Sequence, residues 1–164
     1  ARFDLEKLRG VNARYLQQLD AATLYHLVAP HIAPTSTSAK DRVIALLPLF
    51  QERAKTHLDI VSQLGYLVHD SVPPISEDAV ALLTDEAKSN LLKLADTLAG
   101  TGWQKDDLNS HIQSFLDNNA LKMRDIGLPL RAAITGTKQS PSIVDIMAVL
   151  GESETLARLR VACK

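Results

Sequence analysis

Between Lys122 and Lys138 the chain carries four basic side chains, Lys122, Arg124, Arg131 and Lys138, against Asp125 as the only acid. A local basic face of this kind can meet phosphates even where the whole molecule is near neutral. Its other reading is an ordinary solvated helix surface. The residues that could bind metal are less well arranged. His26 and His31 are five apart with Pro30 between them, a poor spacing for two ligands on one helical face. His57, His69 and His111 have no acid or cysteine at i+3 or i+4 that makes a recognisable site, and Asp70, directly after His69, would point away from it. Cys163 is the only cysteine, which excludes an internal disulfide and a cysteine-built zinc site. One residue from the end, it reads as a solvent-near bystander rather than a nucleophile. No Gly-x-x-x-x-Gly-Lys, Gly-x-Gly-x-x-Gly or Gly-x-Ser-x-Gly occurs, so neither a phosphate cradle nor an activated serine is expected.

These side chains must be positioned by a chain of 164 residues, 46% hydrophobic and 23% charged, with a net charge of −1. That suffices for one domain or two small ones whose cores need no disulfide or metal. The charge is uneven. Residues 1–60 sum to +2, residues 61–110 to −5 and residues 111–164 to +2. No apolar run approaches the roughly 18–20 residues that span a bilayer. No signal peptide opens the chain, and it begins at Ala1 rather than methionine. The expectation is a soluble, cytoplasmic piece of a longer protein, with no membrane and no DNA partner.

Apolar residues recur at helical spacing throughout, and no window alternates in the manner of a strand. Leu5, Leu8, Val11, Tyr15, Leu16 and Leu19 make a first stripe, with Asp4 as N-cap and Phe3 and Leu8 placed as a hydrophobic staple. Asp20 begins a second helix that Pro30 stops. Residues 33–38 read as a loop, and Ser38 as the cap of a third helix in which Pro48 predicts a kink or break. Leu58 to Val68 suggest a fourth. Pro73-Pro74 is the strong boundary signal. Beyond it, Ser76 caps a short helix, and Thr84 caps one with the stripe Ala87, Leu91, Leu94, Ala95 and Leu98, ended by Gly100. Leu108, Ile112, Phe115 and Leu116 make the next. Leu121 to Ile134 continues the pattern through Pro129 to Gly136. Ser140-Pro141 then reads as serine N-cap and proline at the first helical position. Gly151 ends that helix, and Ser153 caps a last one through Leu156 and Leu159. The fold expected is all-α, about eight to ten helices in two packed helical subdomains, residues 1–72 and 73–164.

The run Pro129-Leu130-Arg131-Ala132-Ala133-Ile134-Thr135-Gly136, then Ser140-Pro141, Ile143, Ile146, Leu150-Gly151 and Leu156-Ala157-Arg158-Leu159, resembles the C-terminal part of bacterial glutamyl-tRNA synthetases. Phe3-Asp4-Leu5-Glu6-Lys7-Leu8, Asn12 and Tyr15-Leu16 are similar to the stretch that begins the anticodon-binding region there. The two motifs stand in the right order at opposite ends of the chain. The chain departs from the family pattern at Gly10, Arg124, Ser142 and Val144, beside the RNA surface that the resemblance implies. The family's class I catalytic signatures are absent, and Lys122-Met123-Arg124 is not one of them. The resemblance therefore implies an anticodon-binding region inactive by itself and free of cofactors. The parent enzyme, a glutamate–tRNA ligase, would use ATP and magnesium in a catalytic domain elsewhere in the same chain.

The resemblance also implies site residues. Arg131 matches the arginine that contacts the anticodon, and Ser140, Pro141 and Ile143 match the helix start that packs against its bases. Anticodon bases are read by stacking and by hydrogen bonds to their edges, and a planar guanidinium can do both. Lys138, Lys122 and Arg124 are candidate phosphate contacts from charge and position. Without the resemblance, Arg131 reads rather as half of a structural ion pair holding two helices. The expected partner is tRNA(Glu). Some family members also charge tRNA(Gln), and a residue of the first subdomain that reads the third anticodon base helps decide this; Arg42 and Arg53 are candidates. The alternative reading is a helical protein–protein interaction or scaffold domain without RNA, favoured by the near-neutral charge and the acidic middle.

Overall fold

The structure is a computed structural model that describes residues 4–164, so the staple involving Phe3 lies outside the described residues. Among them are nine α-helices and no strand. The chain divides into two compact units after Asp70, against the boundary expected after Val72.

In the first unit, Asp4 accepts from the Glu6 and Lys7 N–H groups and starts α1 (Leu5–Gln17). Asp20 does the same for Thr23 at the head of α2 (Ala21–Val28), which passes into a 3-10 turn, Ala29–His31, at Pro30. The cap of α3 (Thr37–Gln51) is Ser36, not Ser38, with its hydroxyl accepting from Ala39 N–H. Pro48 does not break α3. It sits on the exposed side, and the carbonyl it cannot serve, on Ile44, lies along that side of the helix.

The fourth helix is much shorter than expected. A Thr56–Asp59 capping box opens α4 (His57–Val61), after which the chain runs in turns through Gly65. Leu64, Tyr66, Leu67 and Val68 are buried from these turns. They join Leu24, Val28, Val43, Leu46, Leu47, Phe50 and Ile60 in the core. Helix α1 contributes only Leu16; Leu5, Leu8, Val11 and Tyr15 are exposed by half or more. Polar ties hold α1 instead. Gln51 Nε2 donates to the Leu16 and Leu19 carbonyls, and Asn12 Nδ2 to the Lys55 carbonyl at 2.6 Å.

In the second unit, Ser76 precedes α5 (Glu77–Val80), but its hydroxyl donates to Asp78 rather than accepting from a backbone N–H. Thr84 caps α6 (Asp85–Leu98) through Ala87 N–H, and the whole predicted stripe of that helix is buried. Gly100 follows with φ +78°. Next come α7 (Lys105–Asn118), α8 (Met123–Thr135) and α9 (Ile143–Ala162). Helix α8 continues through Pro129, since the unserved carbonyl belongs to exposed Asp125. Gly151, at φ +81° and ψ 173°, breaks α9 into two arms as the sequence implied. Both arms share a core with Leu91, Leu94, Leu98, Ile112, Phe115, Ile126, Leu130 and Ile134, and α9 packs on α6, α7 and α8.

Cys163 is buried, not solvent-near, and desolvation pushes its thiol up, against a smaller opposing pull from Lys88. Alkylation by iodoacetamide near pH 8 should therefore be about ten-fold or more slower in the native chain than in urea. Equal rates would place the thiol at the surface.

Candidate nucleic-acid interface

The predicted site residues of the second unit fall on α8, on the loop 136–142 and at the head of α9. Helix α8 ends because Gly136 adopts the left-handed conformation (φ +74°) and donates its N–H to the Ala132 carbonyl. The Gly136 carbonyl accepts from Ser76 N–H at 2.9 Å. A β-carbon at Gly136 would lie 2.2 Å from the Pro74 carbonyl oxygen, so the loop can approach this segment only as glycine. Hydroxyls close the rest of the loop. Thr135 Oγ1 donates to the Arg131 carbonyl at 2.8 Å and accepts from Thr137 N–H, and Thr137 Oγ1 donates to the Gln139 carbonyl at 2.8 Å.

This loop brings Ser140 over α8. Arg131 Nε donates to Ser140 Oγ at 2.8 Å, and Ser140 Oγ donates onward to the Pro141 carbonyl at 2.9 Å. Among the described residues Arg131 has no acidic partner, so it is not half of a structural ion pair. One edge of its guanidinium is fixed, and its two terminal nitrogens have no partner there. Arg131, Ser140 and Pro141 are each half-buried.

Two expectations at this site need correction. Ser140 is not the N-cap and Pro141 is not the first helical residue. The hydroxyl of Ser140 is already committed to Arg131, and Ser142 caps α9 instead, accepting from Asp145 N–H. Ile143 is only 5% exposed and anchors the head of α9 in the core. Val144, a departure from the family pattern, is buried as well.

The candidate phosphate contacts do not form one cluster. Lys138, on the loop, pairs with Asp78 at 3.1 Å, both about half exposed. Ser76 Oγ donates to the same carboxylate at 2.6 Å, and the Ser76 hydroxyl, then Lys138, hold Asp78 below the usual carboxylate range. Arg124 and Lys122 lie at the other end of α8. Seven residues separate Arg124 from Arg131, which is about 10 Å along the axis, with both on one helical face. Arg124 is exposed, 3.8 Å from Asp125, and Lys122 is exposed with its N–H bound to the Asp125 carboxylate. In the first unit, Arg42 is buried, donating to the His69 carbonyl and paired with Asp70, so it holds α3 to the end of that unit. Arg53 remains exposed.

Sequence reasoning missed the support beneath the loop. Arg158, fully buried, donates from Nη1 to the Ile134 carbonyl at 2.9 Å and from Nε to Glu154 at 2.8 Å. It thereby satisfies a carbonyl in the last turn of α8 and ties the second arm of α9 to the start of the loop. Asp78 was also missed, because it lies far from Lys138 in sequence. Among the described residues no three His, Cys, Asp or Glu side chains gather to hold a metal, and no helix is long and apolar enough to cross a membrane.

The helices and this loop agree with a known class. Residues 23–163 match the family described as "Anticodon binding domain", and the chain belongs to that family. It is 33% identical to a glutamate–tRNA ligase of Chelativorans sp., over 98% of this chain and 36% of that protein. With a glutamate–tRNA ligase of Rhodospirillum centenum the identity is 36%, over 100% of this chain and 36% of that protein. The crystal structure of a glutamate tRNA ligase from Elizabethkingia meningosepticum shares the fold, with a TM-score of 0.84 at 22% identity, over 99% of this chain and 33% of that one. The chain thus spans about a third of the length of the curated relatives it matches.

Proposed function

We propose that this chain is the anticodon-reading part of a glutamate–tRNA ligase. It binds the anticodon loop of tRNA(Glu), while a catalytic domain elsewhere in the longer protein attaches glutamate using ATP and magnesium in the cytoplasm. The observation that supports this most is the Arg131–Ser140 pair, in a chain of the anticodon-binding family. A guanidinium fixed along one edge, with its terminal nitrogens unpartnered among the described residues, is pre-organised to stack on a base or donate to its edge. Fixing it beforehand lowers the ordering cost on binding. Ser140 and Pro141 flank the arginine, and Lys138, Lys122 and Arg124 contribute sequence-independent phosphate attraction. In this reading residues 1–72 and 73–164 are two anticodon-binding subdomains, and exposed Arg53 replaces Arg42 as the candidate reader of the third anticodon base, which bears on tRNA(Gln).

The test is titration of the chain with a tRNA(Glu) anticodon stem-loop, a tRNA(Gln) stem-loop and a scrambled loop at two salt concentrations. Tighter cognate binding that weakens with salt supports the reading, because phosphate contacts release counterions. Absence of binding from a folded sample overturns it. Arg131→Ala should weaken cognate binding by about 1–3 kcal/mol, roughly 5- to 150-fold, and relax preference at one base. Its stability cost should stay near 1 kcal/mol, the net worth of the Ser140 hydrogen bond. Arg131→Lys keeps the charge and loses the fork, so it should retain the salt dependence but not the base preference. Unchanged binding by either variant would remove Arg131 from the site.

A further inference from the structure

We infer that Asp78 limits RNA affinity by masking Lys138. This rests on the anticodon-binding reading and adds to it a residue that acts through another. Among the described residues, Lys138 is the only one of the candidate phosphate contacts whose side chain meets a carboxylate on another element. The placement of that carboxylate is constrained on three sides. Ser76 Oγ donates to Asp78 Oδ1, Ser76 N–H donates to the Gly136 carbonyl, and Pro74 abuts Gly136 so closely that no β-carbon fits. The segment 74–78 and the loop 136–138 are therefore tied to each other. The Asp78 carboxylate takes the position opposite the Lys138 ammonium that an RNA phosphate oxygen would otherwise occupy. A phosphate approaching Lys138 meets a like charge beside it.

The consequence is defined by what a phosphate contact does. It adds affinity for any sequence and carries no base information. Masking Lys138 lowers the background for every RNA while leaving base discrimination to Arg131 and Ser140. Asp78→Asn is the direct probe, since asparagine can still accept from Ser76 Oγ while losing the charge.

The experiment titrates the wild-type chain, Asp78→Asn, Lys138→Gln and the double variant with cognate and scrambled stem-loops across a salt series. Asp78→Asn is expected to tighten both loops by about two- to five-fold, the range an exposed ion pair spans. The cognate-to-scrambled ratio should stay the same, and the log–log salt slope should steepen by about 0.7 for a single-stranded contact. In the Lys138→Gln background the gain should vanish. No tightening, an altered ratio, or a gain that persists without Lys138 each overturns the inference. Wild-type protein that binds neither loop removes the anticodon-binding reading, and this inference with it. Wild-type binding with an unaltered Asp78→Asn slope removes this inference alone.

Discussion

Arg158→Met is expected to lower the melting temperature of the second unit by at least about 12 °C. The guanidinium is fully buried, and it serves both Glu154 and the Ile134 carbonyl. Methionine fills much of the volume but supplies neither donor. Removing one partner of a buried ion pair costs about 3–5 kcal/mol, because the other charge is left uncompensated. In a domain of 60–100 residues each kcal/mol moves the midpoint by roughly 4–8 °C. Glu154 retains some solvent access, with 22% of its side chain exposed, which places the expected loss toward the lower end. The double variant with Glu154→Gln should recover part of the loss, as the uncompensated carboxylate is gone. Differential scanning calorimetry decides the matter, and a single variant that melts within about 3 °C of wild type would mean that the pair contributes little.

Gly136→Ala should cost about 2–5 kcal/mol, from two separable sources. A left-handed backbone at a non-glycine residue costs about 1–2 kcal/mol. The added methyl would also meet the Pro74 carbonyl oxygen at 2.2 Å, and backbone cannot rotate aside as a side chain can, so a further overpacking cost of roughly 1–3 kcal/mol applies. Gly100 is the internal control. Its φ is +78°, close to that of Gly136, but a methyl added there would meet nothing within 4 Å, so Gly100→Ala should show the backbone cost alone. Urea denaturation of the two variants measures the difference. Equal losses would show that the Pro74 segment yields freely.

Helix α6 could be read from the chain because every local signal agreed. Thr84 as cap, acids in the first turn, one apolar stripe and a terminal glycine all point the same way. Helix starts were less secure where hydroxyls cluster. In Thr35-Ser36-Thr37-Ser38 and in Ser140-Pro141-Ser142 more than one residue has the chemistry of a cap. The choice falls to whichever has an extended backbone and an uncommitted hydroxyl. Arg131 removes Ser140 from that competition, and no sequence pattern announces this. Between Leu58 and Val68 the apolar spacing suits a helix, but turns around Gly65 bury the same side chains, a tertiary outcome that periodicity cannot separate from a helix. The α1 stripe shows the converse, since amphipathic spacing did not bring Leu5 or Leu8 into the core. At the site, Arg131 and Ser140 lie nine residues apart within a recognisable motif, whereas Asp78 reaches Lys138 from a distant segment.

The break at Gly151 also governs how this chain can vary. Before it, Ile143, Ile146, Met147 and Leu150 face the core; after it, Thr155, Leu156, Arg158 and Leu159 do. At 100° per residue, those two sets would point roughly 150° apart, about two-fifths of a turn, on one straight helix. The extended kink at Gly151 resets the angular phase, so each arm finds its own register against α6, α7 and α8. A one-residue insertion ahead of Gly151 would rotate the first arm alone. Arg158 and its grip on α8 would keep their setting, which makes the glycine a buffer against length changes near the loop 136–142.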